Sequence, residues 1–251
     1  MISKEKILSG DFSTPWDAPL VPPFPFEFRD LEIMSFVYKT DIKNIKNLLP
    51  PPLKATSDIV MVHVYDMHDV DYLGHYQEAN FMIEAELTTT GQRGAFSPYL
   101  FLNSDIGVAH GREVHGQPKK FAEPKIELRK DLLVATVERN GIDIFSGTMA
   151  YKQQKADIAA LSEYMDFAVN FNLKAVNNID GTPAIRQLTS RKLADVRVRE
   201  CWRGFATVEL RPNAQAPVFK LAVKEMLEAF HWKADFTLVA GQVIYDYLEE
   251  K

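Results

Sequence analysis

Two runs constrain this chain more than any other feature: IVMVHVYDM at 59–67 and YQEANFMIEAEL at 76–87. The first is β-branched and apolar on both faces, which predicts a strand buried inside a barrel or between layers. The second alternates, as an extended chain must. Gln77, Ala79, Phe81, Ile83, Ala85 and Leu87 share one face; Tyr76, Glu78, Asn80, Met82, Glu84 and Glu86 share the other. Gly74 supplies the turn before it.

The same logic extends along the chain. Strands are predicted at 31–39, at SPYLFLN, at LLVATVE and IDIFSGTMAY, at about 169–176, 184–202 with a break and 205–211, and at QVIYDYL. Asn140-Gly141 between two of these runs is a hairpin signal, because both residues tolerate the positive φ that a tight turn needs. Helices are predicted to be short. Asp41 caps one in which Ile42, Ile45, Leu48 and Leu49 share a face before Pro50, Pro51 and Pro52 stop it. Asp105 caps another, and residues 155–165 carry Ile158, Leu161 and Met165 at near-helical spacing. Residues 218–240 stay open: VKEMLEAF favours helix, KADFTLVA strand. With no repeat, low-complexity tract or linker, residues 1–251 read as one antiparallel, β-dominated α+β domain. Residues 1–30 form a proline- and aromatic-rich N-terminal arm. Pro15, Pro19, Pro22, Pro23 and Pro25 exclude helix there, and Trp16, Phe24 and Phe26 call for packing on the body or a neighbouring subunit.

Composition removes several classes of function. A formal charge of −5 and the lack of a basic tail argue against nucleic acid. The segment MISKEKILSGDF lacks the apolar core of a secretory signal, and no apolar run approaches the roughly 18 residues of a membrane span. The expectation is a cytoplasmic protein. The one cysteine, Cys201, suits a reducing compartment and reads as a packing residue. No GxGxxG, GxxxxGK[ST] or GxSxG occurs, which sets aside nucleotide-dependent and serine-hydrolase chemistry. A metal is disfavoured by spacing. His63 and His68, like His110 and His115, are five apart, which separates them by about 140° on an α-helix and to opposite faces of a strand. The reading is therefore no metal and no cofactor.

What remains is GREVHGQPKKFAEPK at 111–125. Lys119 and Lys120 are adjacent cations, and a lysine sunk in an apolar cavity beneath aromatic neighbours such as Phe121 would shed its proton readily. A neutral lysine attacks a ketone to form a Schiff base, whose iminium withdraws electrons from an adjacent bond. The alternative is a solvated surface pair. On an extended segment the two side chains face opposite ways, which favours desolvation over repulsion as the activating cause and makes Lys120 a tether.

This stretch resembles the active-site segment of the acetoacetate decarboxylases: GRE, four residues, then PKK, a hydrophobic residue and a second Pro-Lys. The resemblance continues in FVYKTD at 36–41, MHD at 67–69, LGHYQE at 73–78, MAYK at 149–152, IDGTP at 179–183 and VIYDYL at 243–248. That enzyme is itself the standard example of a lysine activated by desolvation or a neighbouring cation. The resemblance implies a closed barrel or cone-like sheet, a homo-oligomer, and cofactor-free decarboxylation of a small β-keto acid such as acetoacetate to acetone and CO2. It places the Schiff base on Lys119, with Lys120 as its neighbour in the catalytic segment. A family glutamate lands on Glu78, whose other reading is a polar residue on a wet face. A second lands on His63, a departure that removes a negative charge from the substrate-binding set. The family arginine lands on Leu31, and Arg29, two residues earlier on the same strand face, is the expected cation for the substrate carboxylate. Gln117, before Pro118, changes pocket polarity, and Arg112 with Glu113 reads as a structural ion pair. Two other functions stay open: an aldolase or dehydratase acting on a pyruvoyl-type substrate through the same lysine, and a non-catalytic binding module.

Overall fold

The two defining runs lie side by side. In the computed structural model, which describes residues 2–9, 13–21 and 23–249, β1 (Phe26–Lys39) pairs with β2 (Leu53–Val70), and β2 pairs with β3 (Tyr76–Leu87), all antiparallel. β4 (Gln92–Leu102), β5 (Lys119–Phe121), β6 (Glu123–Arg129), β7 (Leu132–Arg139), β8 (Ile142–Ala150) and β9 (Gln154–Lys155) follow. β10 (Val169–Asn177), β11 (Pro183–Gly204), β12 (Ala206–Leu210), β13 (Glu225–Leu238) and β14 (Gln242–Asp246) complete the strands. The helices are short: α1 (Lys4–Leu8), α2 (Ile42–Lys46), α3 (Asp105–His110), which runs into a π-helical turn at Gly111–His115, and α4 (Ile158–Ser162).

The main sheet runs β10-β11-β13-β1-β2-β3-β4-β5 and bends back on itself, because β10 also pairs with β4 through Asn170↔Ala95 and Phe171↔Phe96. Asn170 secures this seam, its Nδ2 donating to Ala95 O at 3.1 Å and Ser97 Oγ at 2.9 Å. The sheet is thus ring-like, and the domain is β-dominated as its patterns predict. Two short seams, β10–β4 and β4–β5, are parallel rather than antiparallel. The second sheet, β12-β8-β7-β6, packs on the outer face of the ring. There Phe145 meets Phe36 and Phe81 edge to face, with centroids 5.5 and 5.7 Å apart. Gly147 admits Phe36, since a Cβ there would lie 2.5 Å from that ring. The inner face carries a second apolar cluster that includes Leu31, Ile33, Met61, Met82, Leu100 and Trp232.

Several local expectations are corrected. Of the two readings of the Glu78 face of β3, the wet one falls: Glu78, Asn80 and Glu84 are all enclosed, because the ring covers that side. Residues 225–238 of the undecided segment form β13 between β1 and β11, so tertiary pairing overrides the helical propensity of VKEMLEAF. Ser104, not Asp105, caps α3, its Oγ accepting from Gly107 N at 3.1 Å. The helix predicted at 155–165 shortens to α4, capped by Asp157. Asp41 caps α2, and Asn140 and Gly141 turn with φ of 57° and 76°, both as predicted. In the arm, Phe26 is buried, but Trp16 is about half exposed, and Pro22 lies outside the described residues.

Candidate active site

β5 is only three residues long and lies parallel to β4, with Lys119 opposite Leu100. The extended backbone sends Lys119 into the ring and Lys120 out of it, where Nζ donates to Gln215 O at 2.9 Å. Lys120 therefore does not join the site, and its place in the predicted catalytic set is corrected. Phe121 is exposed rather than roofing the lysine. The preceding turn folds tightly over Lys119: Gln117 N donates to Gly111 O at 2.9 Å, and Arg112 Nη1 donates to Lys119 O at 3.2 Å. Arg112 thus braces the lysine segment instead of pairing with Glu113. The glycine of GRE has a steric reason, since a Cβ on Gly111 would lie 2.4 Å from Lys119 Cδ and 2.8 Å from Gln117 Oε1.

Lys119 and Glu78 are both nearly enclosed, at 7% and 6% exposure, and Lys119 Nζ lies 2.9 Å from Glu78 Oε2. They line a cavity of about 40 Å³. One ordered water needs about 10–15 Å³ on this measure, so the space suits a molecule of a few heavy atoms. Its walls combine aromatic and apolar side chains with the polar Asn80, His110 and Gln117. Phe26 stacks on Phe28, and Phe28 on Phe236, with centroids 5.7 and 4.6 Å apart. Tyr65 and Tyr76 add phenols whose pKa values burial, followed by the Glu78 charge, pushes upward, so both remain protonated. Gln117 is buried in the wall, as its position beside Pro118 predicts.

The cation expected from Arg29 comes from elsewhere. Arg29 lies outside the cavity, its Nε on Asp69 Oδ2 at 2.8 Å, its Nη1 on Glu27 Oε2 at 2.6 Å and its Nη2 on Asp71. A bulge at Asp30, with φ of 53° and a register shift between Phe28 and Leu31, resets the alternation. The same-face argument therefore fails: Phe28 and Leu31 both point inward and Arg29 points out. The arginine in the cavity wall is Arg191 on β11, two residues before Leu193, which lines the same wall. Burial lowers its pKa, opposed chiefly by the Glu78 charge, and a guanidinium stays protonated in proteins. Its Nε is buried without a partner. Lys119, Glu78 and Arg191 thus all line one cavity.

His63 does not reach the cavity either. Tyr65, two residues along the same face, takes that wall, and His63 sits beneath it with Nδ1 2.7 Å from Ser35 Oγ. Ser35 Oγ in turn accepts from Trp232 Nε1 at 2.8 Å. Burial pushes the His63 pKa down to about 3, so it is a neutral strut. The five-residue spacing of His110 and His115, which parts two side chains on an α-helix, brings them together here. The π-helical turn between them has a wider repeat, and the rings meet edge to face with centroids 5.3 Å apart. His110 lines the cavity. Among the described residues, no cluster of three or more His, Cys, Asp or Glu side chains is placed to hold a metal ion.

A buried lysine against a carboxylate, with an arginine and aromatic rings in the same small cavity, is the arrangement this fold presents. Comparison with known proteins gives the family. The profile of the acetoacetate decarboxylases matches residues 12–248. The chain is 36% identical over 245 residues to acetoacetate decarboxylase 2 of Mesorhizobium japonicum, covering 98% of this chain and 93% of that protein. It is 34% identical over 249 residues to the acetoacetate decarboxylase of Chromobacterium violaceum, covering 99% and 100%. The crystal structure of acetoacetate decarboxylase from Legionella pneumophila superposes with a TM-score of 0.88 at 32% identity, over 99% of each chain. An enduracididine biosynthesis enzyme shares the fold, at a TM-score of 0.78 and 15% identity over 94% of this chain and 97% of that one. The chain belongs to the acetoacetate decarboxylase family, a family of carboxy-lyases.

Proposed function

We propose that this protein decarboxylates acetoacetate, or a β-keto acid of similar size, through a Schiff base on Lys119. The observation that carries the reading is the enclosed 2.9 Å contact between Lys119 Nζ and Glu78 Oε2. Glu78 takes a proton from the ammonium; the free amine adds to the ketone, and the carbinolamine loses water. The iminium accepts the electron pair of the breaking carbon–carboxylate bond as CO2 leaves, giving an enamine. One proton on the enamine carbon and one water at the iminium then release acetone and restore Lys119. Arg191 holds the carboxylate before it leaves. The phenylalanine-lined part of the wall favours the step itself, because an anion that is costly to keep beside it becomes neutral CO2. The small volume supports a short-chain substrate.

The test is incubation with acetoacetate and borohydride, followed by mapping of the adduct by mass spectrometry, with CO2 release measured in parallel. An adduct on Lys119 together with CO2 is expected. Labelling on Lys120, or none, overturns the assignment. A condensation product from pyruvate and an aldehyde, with no CO2 from acetoacetate, would replace decarboxylation by aldol chemistry at the same lysine.

We place the protein in the cytoplasm. Its buried, unpaired Cys201 supports this, and among the described residues no helix is long and apolar enough to cross a membrane. Assembly into a homo-oligomer is supported by apolar side chains left exposed in the arm, Ile7, Leu8 and Trp16. Size-exclusion chromatography with light scattering tests that reading.

A further inference from the structure

Turning a β-keto acid anion into a ketone and CO2 takes up one proton per turnover, at a carbon enclosed by the ring. The cavity must be resupplied from solvent. Phe24 covers both His110 and His115, at centroid distances of 5.0 and 5.4 Å, and Phe26 covers His110 at 5.0 Å. The two imidazoles lie beneath these rings. His110 faces the cavity. His115 faces a different cleft, which opens outward through the exposed Ala240, Gly241, Gln242 and Val243. Each ring is buried to 3% exposure, and each has an Nε2 with no hydrogen-bond partner among the described residues. The backbone of His115 is held by Thr189, whose Oγ1 donates to His115 O at 2.5 Å.

We propose that His115 and His110 form a proton relay from the outer cleft to the cavity, delivering the proton that converts the enamine to the ketone. His115 accepts a proton from solvent at one ring nitrogen and releases one from the other. His110 does the same toward the enamine carbon, and both end each cycle neutral. Nothing is oxidised or reduced, and the proton gained by carbon is the one taken from solvent. The charged groups around the pair suit handing on rather than storing. Lys119 and Arg191 face His110, while Arg191, Lys119 and Lys174 face His115. Burial, reinforced by these cations, pushes the pKa of His110 down to about 4 and that of His115 to about 2.

The relay rests on the decarboxylation reading, so its test isolates the protonation step. Exchange of acetone methyl protons with D2O, followed by NMR, runs enamine formation and reprotonation at Lys119 without any loss of CO2. In His115→Phe, both exchange and CO2 release are expected to fall by about tenfold or more. Small buffer acids such as imidazole are expected to restore them in proportion to concentration, while the unaltered protein ignores buffer concentration. Borohydride trapping on Lys119, unchanged in the variant, reports that the fold and the amine survive. His115→Gln, which keeps the space polar, serves as a second variant and should show the same rescue. Normal exchange in both variants, or a loss that no buffer acid restores, overturns the relay. Failure of the unaltered protein to release CO2, with acetone exchange intact and buffer-rescued in the variants, overturns the decarboxylation reading alone.

Discussion

At the scale of single residues, the site rests on one contact, one gap and one unpaired charge. Glu78→Gln keeps shape but removes the carboxylate 2.9 Å from Lys119 Nζ, and on the proposed mechanism turnover should fall by about a hundredfold or more. Glu84→Gln, on the same inward face, disturbs only the contacts to Thr56 and Arg93, each at 2.8 Å, and should leave steady-state turnover near normal. Gly111→Ala would push a methyl group into Lys119 Cδ. A displacement of about 1 Å costs roughly a hundredfold in a positioned reaction, and borohydride trapping should fall in step. Arg191→Met should raise KM about ten- to a hundredfold, the worth of a charged hydrogen bond of about 1.5–3 kcal/mol. Arg29→Met, outside the cavity, should leave KM alone. Kinetics of both variants side by side decide which arginine reads the carboxylate.

At the scale of elements, what the sequence showed and what it hid divide along one line. Alternation and turn chemistry are local, so the strand at 76–87, the cap at Asp41 and the turn at Asn140-Gly141 were all legible, as was the opposed direction of Lys119 and Lys120. Lys120→Met should accordingly leave the pH profile of borohydride trapping unmoved, since that side chain is spent on Gln215. Features set by a break in regularity were hidden. The bulge at Asp30 reversed the face assigned to Arg29, and the π-helical turn joined two histidines that α-helical geometry separates. Arg191 had a signal in its spacing from Leu193, but Ser-Arg-Lys reads as solvated until the ring is known to enclose it. The burial of both faces of β3 is likewise a property of the closed sheet and not of the strand.

At the scale of the whole molecule, three buried histidines tie stability to pH. His63, His110 and His115 are held neutral, with pKa values near 3, 4 and 2, against an ordinary value of 6.5. Below that ordinary value the unfolded chain binds protons that the folded chain refuses, so stability falls as pH drops from about 6.5 toward 4. The slope is at most about 1.4 kcal/mol per pH unit for each histidine. Urea unfolding across that range should show the decline, and His115→Phe should flatten it by one histidine's share. The seam between β10 and β4 bears on timing. Glu78 and Lys119 lie in the first half of the chain, Arg191 in the second, and β1 pairs with β13, nearly the last strand to be made. Contacts so distant along the chain form slowly. A nascent chain therefore carries Lys119 before Arg191 and β13 have been made, and the cavity around it is complete only once those later strands have paired.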